Sequence, residues 1–553
     1  MKQYETFELT FTGPEPEGSR ALVDLQAEFT IAGEVKRVSG FYAGNGVYKV
    51  RFYSTAAGRC SWKVWGVVSG AGEVLCEPAN PGKAGEEEYR KSPDTDGERK
   101  TVTCGECCDM TGKGRTPRGM VRASGRHFKY HDGTWYRPFG TTIYAMVHQE
   151  EALVNTTMAT LRSAPFNKVR FCVFPKHYDF NHNEPPYYPF EKTDSKWDVH
   201  KPAAVYWDAL EERIRELDAM GIQGDLILFH PYDRWGFSRF SKEESLVYLD
   251  YLLRRLSAMP NLWWSLANEY DLMSNYKRED WQEFAGFVAE HDPYGHCLSN
   301  HNCMAYWDFS QKEITHCSIQ DVNVNEVPEL WERYQKPMIF DECRYEGNII
   351  HGWGNISGRE MVRRFWTAVC CGGYCTHGET FYSEDEVLWW ARGGVLKGES
   401  SARIAFLKEI VEALPGPLEF MGEGSGAYTE GQLLSMKKNG ISEEFQKNFF
   451  LTAMLNMPEE QVKAFLTKER VAFGHCGQEA YLKFLERQCA AVTKLNLPEE
   501  GNYRIEVIDT WEMTRQVVTE NACGRVQIDL PGKEDMAVLA VSKTGNIPGS
   551  GGK

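Results

Sequence analysis

The chain has 553 residues, which is more than one compact core usually holds, so its length predicts two or three domains. With 42% hydrophobic and 25% charged residues, its composition is typical of a soluble globular protein. The net charge of −16 argues against a nucleic-acid partner, which needs a basic surface, and disfavours an anionic substrate.

The N-terminus and the cysteines indicate where the protein works. The opening MKQYETFELTFTG alternates like a strand and lacks the apolar core of a signal peptide, and no apolar run is long enough to span a membrane. We therefore expect a cytoplasmic protein without a membrane partner, whose 16 cysteines are reduced thiols. The stretch CGECC at 104–108 contains half of a typical zinc site, but no second ligand pair follows at the usual spacing, so no cofactor is predicted.

The first predicted domain, residues 1–97, consists of short strands. Segments such as YETFELTFTG, LVDLQAEFTIAG and CSWKVWGVVSG alternate in polarity or are rich in aromatic and β-branched residues, and turns separate them. This regular spacing is typical of a β-sandwich. A polar connector is predicted at 98–127.

Residues 128–425 are predicted to form a (β/α)8 barrel. Amphipathic helical segments such as YWDALEERIRELDAMG alternate with short apolar runs, which predicts parallel βαβ units. A doubly wound sheet is the alternative, but no glycine-rich phosphate loop follows the first run. The eight runs are YRPFGTTIYAM, NKVRFCVFP, GDLILFHP, LWWSLANE, CLSNHN, HCSIQDV, PMIFDE and GGYCTHGET.

The remainder of the chain is predicted as a mixed region at 426–545 that ends in a small β domain. Segments YRIEVIDTWEMTRQVV and MAVLAVSK carry the strand pattern. The tail at 546–553 is predicted to be flexible. The predicted architecture is therefore a central (β/α)8 barrel flanked by an N-terminal sandwich and a small C-terminal one.

Two of the apolar runs end in acidic residues. The fourth run leads into Asn268 and Glu269, and the seventh ends in Asp341 and Glu342. Because the active site of such a barrel lies at the carboxyl ends of its strands, the two glutamates are expected to meet at one mouth. An acidic residue after a strand is often only a helix cap, but two at strands 4 and 7 favour function.

A pair of carboxyl groups at one mouth is the chemistry that glycoside hydrolysis requires. One protonates the leaving oxygen, and the other attacks the sugar or activates water. A carboxyl separation of about 5–5.5 Å gives retention of configuration and about 6.5–9.5 Å gives inversion, so these residues leave both outcomes open.

The sequence also resembles a known family. Asn-Glu after strand 4 and Glu after strand 7 are similar to the retaining (β/α)8 glycoside hydrolases. The stretches HFKYHDGTWYRPFGTTIYAM, IFDECRYEG and GGYCTHGETFY resemble apiosidase-like hydrolases that carry an N-terminal immunoglobulin-like domain, and YRIEVIDTWEMT resembles a short C-terminal β domain found with them. The resemblance covers most of the chain except about 426–475, and it implies a retaining O-glycosyl hydrolase.

The resemblance implies roles for individual residues. Glu269 corresponds to the general acid/base and Glu342 to the nucleophile. Asn268 corresponds to the amide that binds the sugar 2-hydroxyl, and Arg170 to the arginine that holds the nucleophile ionised. The clan often supplies a tyrosine from strand 6, but this run ends in SIQDV, so the expected neighbour of the nucleophile there is Gln320 or Asp321.

Further polar and aromatic residues follow other strands, and each is a candidate for sugar contact or for a structural role. They are His230, Asp233, Arg234 and Trp235 after strand 3, Asn300 and His301 after strand 5, His377 and Glu379 after strand 8, and Trp389 and Trp390 in the next loop.

The expected partner is a carbohydrate, a small oligosaccharide or glycoside cleaved by an exo-acting enzyme, and a homo-oligomer is left open. Two alternatives remain. His230, Asp233, His301, His377 and Glu379 are also suitable metal ligands, which would fit a metal-assisted hydrolase, although neither HxH nor HExxH spacing occurs. The second alternative is a non-catalytic carbohydrate-binding protein.

Overall fold

The computed structural model describes residues 1–80, 116–422 and 428–543. The cysteine cluster at 104–108 lies outside these residues, as does the tail at 546–553. Within the described ranges, no helix is both long and apolar enough to cross a membrane.

The N-terminal strands form two antiparallel sheets, in the orders β1-β5-β4 and β3-β2-β6-β7. In β2, the alternate residues Leu25, Ala27, Phe29 and Ile31 are buried, as the period of a strand requires. Phe29 stacks on Phe52 with ring centroids 4.3 Å apart, so the two sheets share one core. The strands are β1 Thr6–Thr12, β2 Leu25–Ile31, β3 Glu34–Ser39, β4 Phe41–Gly44, β5 Val47–Tyr53, β6 Gly58–Gly66 and β7 Gly70–Cys76.

A small antiparallel sheet packs against residues of the barrel strands. It consists of β8 Val121–Ser124, which lies in the segment predicted as a connector, β9 His127–Tyr130 and β10 Trp135–Tyr136. Phe128 packs on Trp263 with ring centroids 4.9 Å apart, and both belong to one buried cluster with Tyr374. The cluster includes early residues of the barrel strands, so this sheet covers the end opposite the carboxyl ends.

Eight parallel strands form the barrel, in the order β17-β16-β15-β12-β11-β21-β19-β18. A parallel bridge between His301 and Ser318 joins the two ends of this order. All eight predicted runs contribute a strand, and the predicted fold class is confirmed. The barrel strands are β11 Gly140–Thr142, β12 Lys168–Cys172, β15 Gln223–Phe229, β16 Leu262–Ala267, β17 Leu298–Ser299, β18 Cys317–Gln320, β19 Met338–Glu342 and β21 Tyr374–His377; shorter ones are β13 Phe190–Thr193, β14 Lys196–Pro202, β20 Glu346–Gly347 and β22 Glu379–Thr380.

Helices surround the barrel. The Ser241 side chain accepts a hydrogen bond from the Glu244 backbone and Glu244 returns one, a capping box that begins α3. Gly221, at φ 78°, ends α2 in the left-handed conformation that glycine adopts without strain. The helices are α1 Glu151–Ser163, α2 Ala204–Met220, α3 Lys242–Leu256, α4 Arg278–His291, α5 Val327–Tyr334, α6 Gly358–Cys370, α7 Trp389–Arg392 and α8 Ser400–Glu412.

The N-terminal sandwich is joined to the barrel by buried charges. Arg51 on β5 donates two hydrogen bonds of 2.7 Å to Glu211 on α2, and Arg255 on α3 donates one of 2.5 Å to the same carboxylate. All three side chains are buried. Phe41 of the sandwich belongs to the barrel core, so the interface also has an apolar part.

The mixed region begins with helices that enclose a small core of their own, around Leu433, Leu451 and Leu466. A six-stranded sheet in the order β23-β24-β25-β30-β27-β28 and a two-stranded one follow, and Trp366 of α6 packs on Phe484 of β25. The elements are β23 Glu419–Phe420, α9 Glu430–Asn439, α10 Glu443–Gln446, α11 Phe449–Leu455, α12 Glu459–Glu469, β24 Ala472–Cys476, β25 Ala480–Phe484, β26 Val492–Asn496, β27 Tyr503–Asp509, β28 Thr514–Ala522, β29 Arg525–Asp529 and β30 Met536–Ser542.

Candidate active site

Glu269 and Glu342 lie at the same end of the barrel. Glu342 is the last residue of β19, and Glu269 follows β16 after Asn268. Both are largely buried, Glu269 at 6% exposure and the Glu342 side chain at 12%. Glu269 has φ 55° and ψ 56°, a left-handed conformation that is uncommon for a residue other than glycine. Backbone strain of this kind is concentrated at functional sites.

Three side chains hold Glu342 as a carboxylate. The Tyr144 hydroxyl donates a hydrogen bond to Oε1, His301 Nε2 lies 3.3 Å from the same oxygen, and Arg170 Nη1 lies 3.6 Å away. Burial by itself would raise the pKa of Glu342, but His301, Arg170 and Tyr144 outweigh it and lower this pKa to about 2. Burial and the Glu342 charge raise the pKa of Tyr144, so its phenol keeps the proton that it donates.

The environment of Glu269 has the opposite effect. Burial and then the negative charge of Glu342 raise the pKa of Glu269. The Tyr232 hydroxyl donates a hydrogen bond to Oε2. One carboxyl group is therefore biased toward its protonated form and the other toward its ionised form, which is the division of roles between a general acid and a nucleophile.

A balanced set of buried charges lies beneath the two glutamates. Lys168 Nζ is 2.6 Å from Asp225 Oδ2 and 2.7 Å from Asp341 Oδ1, and Arg170 Nε is 3.5 Å from Asp225 Oδ2. Ser318 also donates a hydrogen bond of 2.6 Å to Asp341. Asp341, although adjacent to Glu342 in sequence, is thus engaged inside the barrel, and it helps to keep Arg170 below the mouth.

Asn268 lies beside the ionised carboxylate. Its Oδ1 accepts a hydrogen bond of 3.3 Å from Arg170 and lies 3.0 Å from the Tyr144 hydroxyl oxygen. Its oxygen is therefore committed to protein donors, and its amide nitrogen is the group left to bind a substrate oxygen.

The side chains after strand 6 make other contacts. Gln320 Nε2 lies 3.8 Å from Cys303 Sγ, and Asp321 accepts a hydrogen bond of 2.5 Å from Tyr306. Besides Arg170, the Glu342 carboxylate contacts Tyr144, from the end of strand 1, and His301, from the end of strand 5. A tyrosine thus contacts this carboxylate, but from a strand that the sequence did not indicate.

The four candidate residues after strand 3 contact neighbouring protein groups. His230 Nε2 lies 3.0 Å from the carbonyl oxygen of Phe174, and Asp233 accepts backbone hydrogen bonds from Trp235, Gly236 and Ser238. Arg234 and Trp235 both donate to Glu184 in the loop after strand 2. These contacts shape the rim of the mouth.

His377 and Glu379 stand apart from the two glutamates. Glu379 accepts backbone hydrogen bonds from Lys397 and Gly398, and Glu346 accepts them from Glu399 and Ser400, so the two carboxyl groups hold the start of α8. His377 Nδ1 lies 3.1 Å from Thr141 Oγ1, and its ring stacks on Phe166.

Glu346, His377 and Glu379 can each place a ligand atom within 4.8 Å of the others, a spacing that would suit a metal. Backbone donors already occupy the two carboxyl groups, however, and His230, Asp233 and His301 contribute nothing to this cluster. The five residues considered as a metal set therefore do not converge.

The two tryptophans differ in position. Trp389 is buried and donates a hydrogen bond of 2.8 Å to Thr141. Trp390 belongs to a cluster of rings at the mouth with Tyr144, Tyr345 and Trp353, the last with its centroid 4.8 Å from that of Trp390. Of the pair, Trp390 is the one placed beside the glutamates.

The sequence reasoning missed Tyr144, Lys176 and Tyr232. All three follow barrel strands: Tyr144 in TTIYAM after strand 1, Lys176 in FPKHYD after strand 2 and Tyr232 in FHPYDRW after strand 3. Their position just past a strand end was the available signal. A tyrosine or lysine there is too common to be selected without its contacts.

Three parts of the chain match known protein families. Residues 122–415 match the family described as apiosidase-like, catalytic domain, residues 1–65 a domain of unknown function (DUF5060) and residues 470–540 another (DUF5605). No curated protein matches the chain.

Solved structures are similar as well. The chain is 31% identical to a candidate glycoside hydrolase from Bacteroides vulgatus ATCC 8482, with 98% of this chain and 99% of that chain covered and a TM-score of 0.78. A family 5 glycoside hydrolase from the same organism, at 14% identity, covers 79% of this chain and 96% of its own with a TM-score of 0.58, which shows the shared fold alone. The match over the barrel and the full-length similarity establish that the chain belongs to the apiosidase-like glycoside hydrolases.

Proposed function

We propose that this glycosidase cleaves its substrate by a retaining double displacement. Glu342 attacks the anomeric carbon while Glu269 protonates the leaving oxygen, and Glu269 then deprotonates the water that releases the sugar. The observation that carries the proposal is the opposite environment of the two carboxyl groups: Tyr144, His301 and Arg170 surround Glu342, whereas Glu269 is buried beside its negative charge.

We also propose exo action on a small oligosaccharide or glycoside. His182 Nδ1 lies 2.5 Å from Glu386 Oε1, and His351 Nε2 lies 2.9 Å from Asp179 Oδ2. These contacts tie the loop after strand 2 to the loops after strands 8 and 7, so one side of the mouth is walled. A barrel mouth that is closed on one side accommodates the end of a glycan chain better than an internal segment.

A cytoplasmic location is part of the proposal. The buried cysteines, Cys172, Cys343 and Cys375 among them, are free thiols. Thiols stay reduced in the cytoplasm. Fractionation of the native host, followed by immunodetection, tests this assignment, and recovery from the medium would contradict it.

The mechanism is tested first with aryl glycosides of both anomeric configurations, as pyranosides and furanosides. NMR of the first-formed sugar should show the anomer of the substrate. Glu342→Gln should abolish turnover without changing the melting temperature by more than a few degrees. An inverted product, or full activity of this variant, would exclude Glu342 as the nucleophile.

The acid/base role is tested with two leaving groups. Dinitrophenolate needs little protonation, so Glu269→Ala should lose far more activity on a sugar leaving group than on dinitrophenyl. Added azide, which needs no general base, should then attack the glycosyl-enzyme in place of water, displace the Glu342 carboxylate and give a glycosyl azide. Equal losses on both substrates, without azide rescue, would assign Glu269 to binding alone.

A further inference from the structure

Lys176 occupies a cage of aromatic rings at the barrel mouth. It follows β12, and its Nζ lies 3.6 Å from the ring centroid of Tyr144, 4.4 Å from that of Tyr232 and 4.8 Å from that of Trp390. The side chain is buried, at 4% exposure. Electron-rich ring faces stabilise an ammonium at these distances.

Two rings of the cage also contact the two glutamates. The Tyr144 hydroxyl donates to Glu342 and the Tyr232 hydroxyl donates to Glu269, so the two nearest rings of the cage are those that hold the two carboxyl groups. Burial lowers the pKa of Lys176, and the negative charge of Glu342 opposes this lowering. The amine therefore faces the space in which the sugar must lie for both groups to reach its anomeric centre.

The described residues do not satisfy the hydrogen-bond donors of the Lys176 ammonium. Within the described part of the chain, Lys176 Nζ has no hydrogen-bond acceptor and no carboxylate at ion-pair distance. An ammonium carries three donors, and a buried charge without such partners is costly. The rings supply attraction but no directional oxygen acceptor, which leaves the donors available to a ligand.

The charges around the mouth indicate what that ligand is. Lys168 and Arg170 are balanced by Asp225 and Asp341. With Glu269 protonated, Lys176 and Glu342 then balance each other. A neutral sugar preserves this balance, whereas a carboxylated or sulfated sugar would add an uncompensated negative charge next to the nucleophile.

We propose that Lys176 is a specificity-determining residue, whose ammonium donates hydrogen bonds to hydroxyl oxygens of a neutral sugar ring at the cleavage position. This inference rests on the proposed function and adds a substrate class and a binding residue to it. Sugar hydroxyls are good acceptors, and a hydrogen bond from a charged donor is among the stronger ones.

The first test compares three substitutions of Lys176 on the aryl glycoside that the wild type hydrolyses fastest. Lys176→Met keeps the length and can pack among the rings, Lys176→Gln keeps a neutral donor, and Lys176→Arg keeps the charge. We expect Met to lower kcat/KM roughly ten- to hundredfold, the worth of a hydrogen bond to a charged group, and Gln to lower it less. Equal losses for Met and Gln would overturn a hydrogen-bonding role.

The second test pairs the enzyme variant with substrate variants. Each ring hydroxyl of that glycoside is removed in turn, and kcat/KM is measured with the wild type and Lys176→Met. At least one deoxy substrate should lose roughly tenfold or more with the wild type and nearly nothing with the variant, because the hydrogen bond is already absent. Identical penalties in both enzymes, or faster turnover of the matching uronide by the wild type, would overturn the proposal.

A measurement of sugar binding distinguishes the role of Lys176 from the proposed catalytic mechanism. Saturation-transfer NMR with a panel of neutral monosaccharides measures sugar binding without turnover, in the wild type and in Lys176→Met. Loss of binding in the variant would support the role of Lys176 even if Glu342→Gln kept full activity, a result that would refute the mechanism alone. Unchanged binding by the variant would overturn the role of Lys176.

Discussion

Tyr144→Phe isolates one contact of the candidate nucleophile. The substitution removes the hydroxyl that donates to Glu342 Oε1 and lies 3.0 Å from Asn268 Oδ1, and it keeps the ring that packs on Trp390 and faces Lys176. Because His301 and Arg170 remain, Glu342 keeps part of its stabilisation. The fold should therefore be preserved.

The expected loss follows from the kind of bond. A hydrogen bond to a charged group contributes about 1.5–3 kcal/mol, which corresponds to roughly a ten- to hundredfold reduction of kcat/KM if the bond is fully used in the transition state. The hydroxyl also helps to lower the pKa of Glu342. Its removal should raise that pKa, so the acidic limb of the pH profile, which reports ionisation of the nucleophile, should move to higher pH.

The assay is the pH dependence of kcat/KM on an activated aryl glycoside, beside a thermal melt. Tyr248→Phe is the matched control, since it removes a buried hydroxyl that donates to the Leu228 carbonyl of the same barrel. Tyr248→Phe should affect stability but not the acidic limb. An unchanged limb and unchanged kcat/KM in Tyr144→Phe would refute the role given to this hydrogen bond.

Two further predictions concern stability. Burial raises the pKa of Glu379 to about 7, above the unfolded value of about 4.3, so the stability linked to its protonated form is complete below about pH 4.3 and is lost as pH rises through 7. Glu379→Gln cannot ionise, although its amide nitrogen replaces one oxygen that accepts a backbone hydrogen bond, so its melting temperature relative to wild type should be lower at pH 4 than at pH 8. An equal difference at both pH values would contradict this. Arg51→Met removes one of the two buried partners of Glu211 and leaves Arg255 as the other. It should lower the free energy of unfolding by about 3 kcal/mol, measured as a lower urea midpoint. The control, Arg59→Met at the exposed pair with Glu73, should change this free energy by less than about 1 kcal/mol. Equal effects of the two arginine substitutions would refute the assigned importance of the buried pair.

The sequence by itself determined the architecture and the positions of the two glutamates. The spacing of apolar residues in a strand or helix is a local property of the sequence, so it was possible to predict all eight apolar runs as barrel strands. Glu269 and Glu342 could be placed at one mouth because parallel strands end at the same edge. Arg170 Nη1 lies 3.6 Å from Glu342, and the role toward this carboxylate that the family resemblance implies stays a prediction.

The tertiary structure alone decided what surrounds those carboxyl groups. Tyr144 and Glu342 are 198 positions apart, and their contact depends on the barrel placing strands 1 and 7 on either side of strand 8. No local pattern distinguishes Trp390, which packs on Tyr144, from Trp389, which bonds to Thr141, because helix geometry sends adjacent side chains in different directions. Lys176 became a candidate for the same reason: rings from three distant segments converge on its amine, and only the closed barrel brings them together.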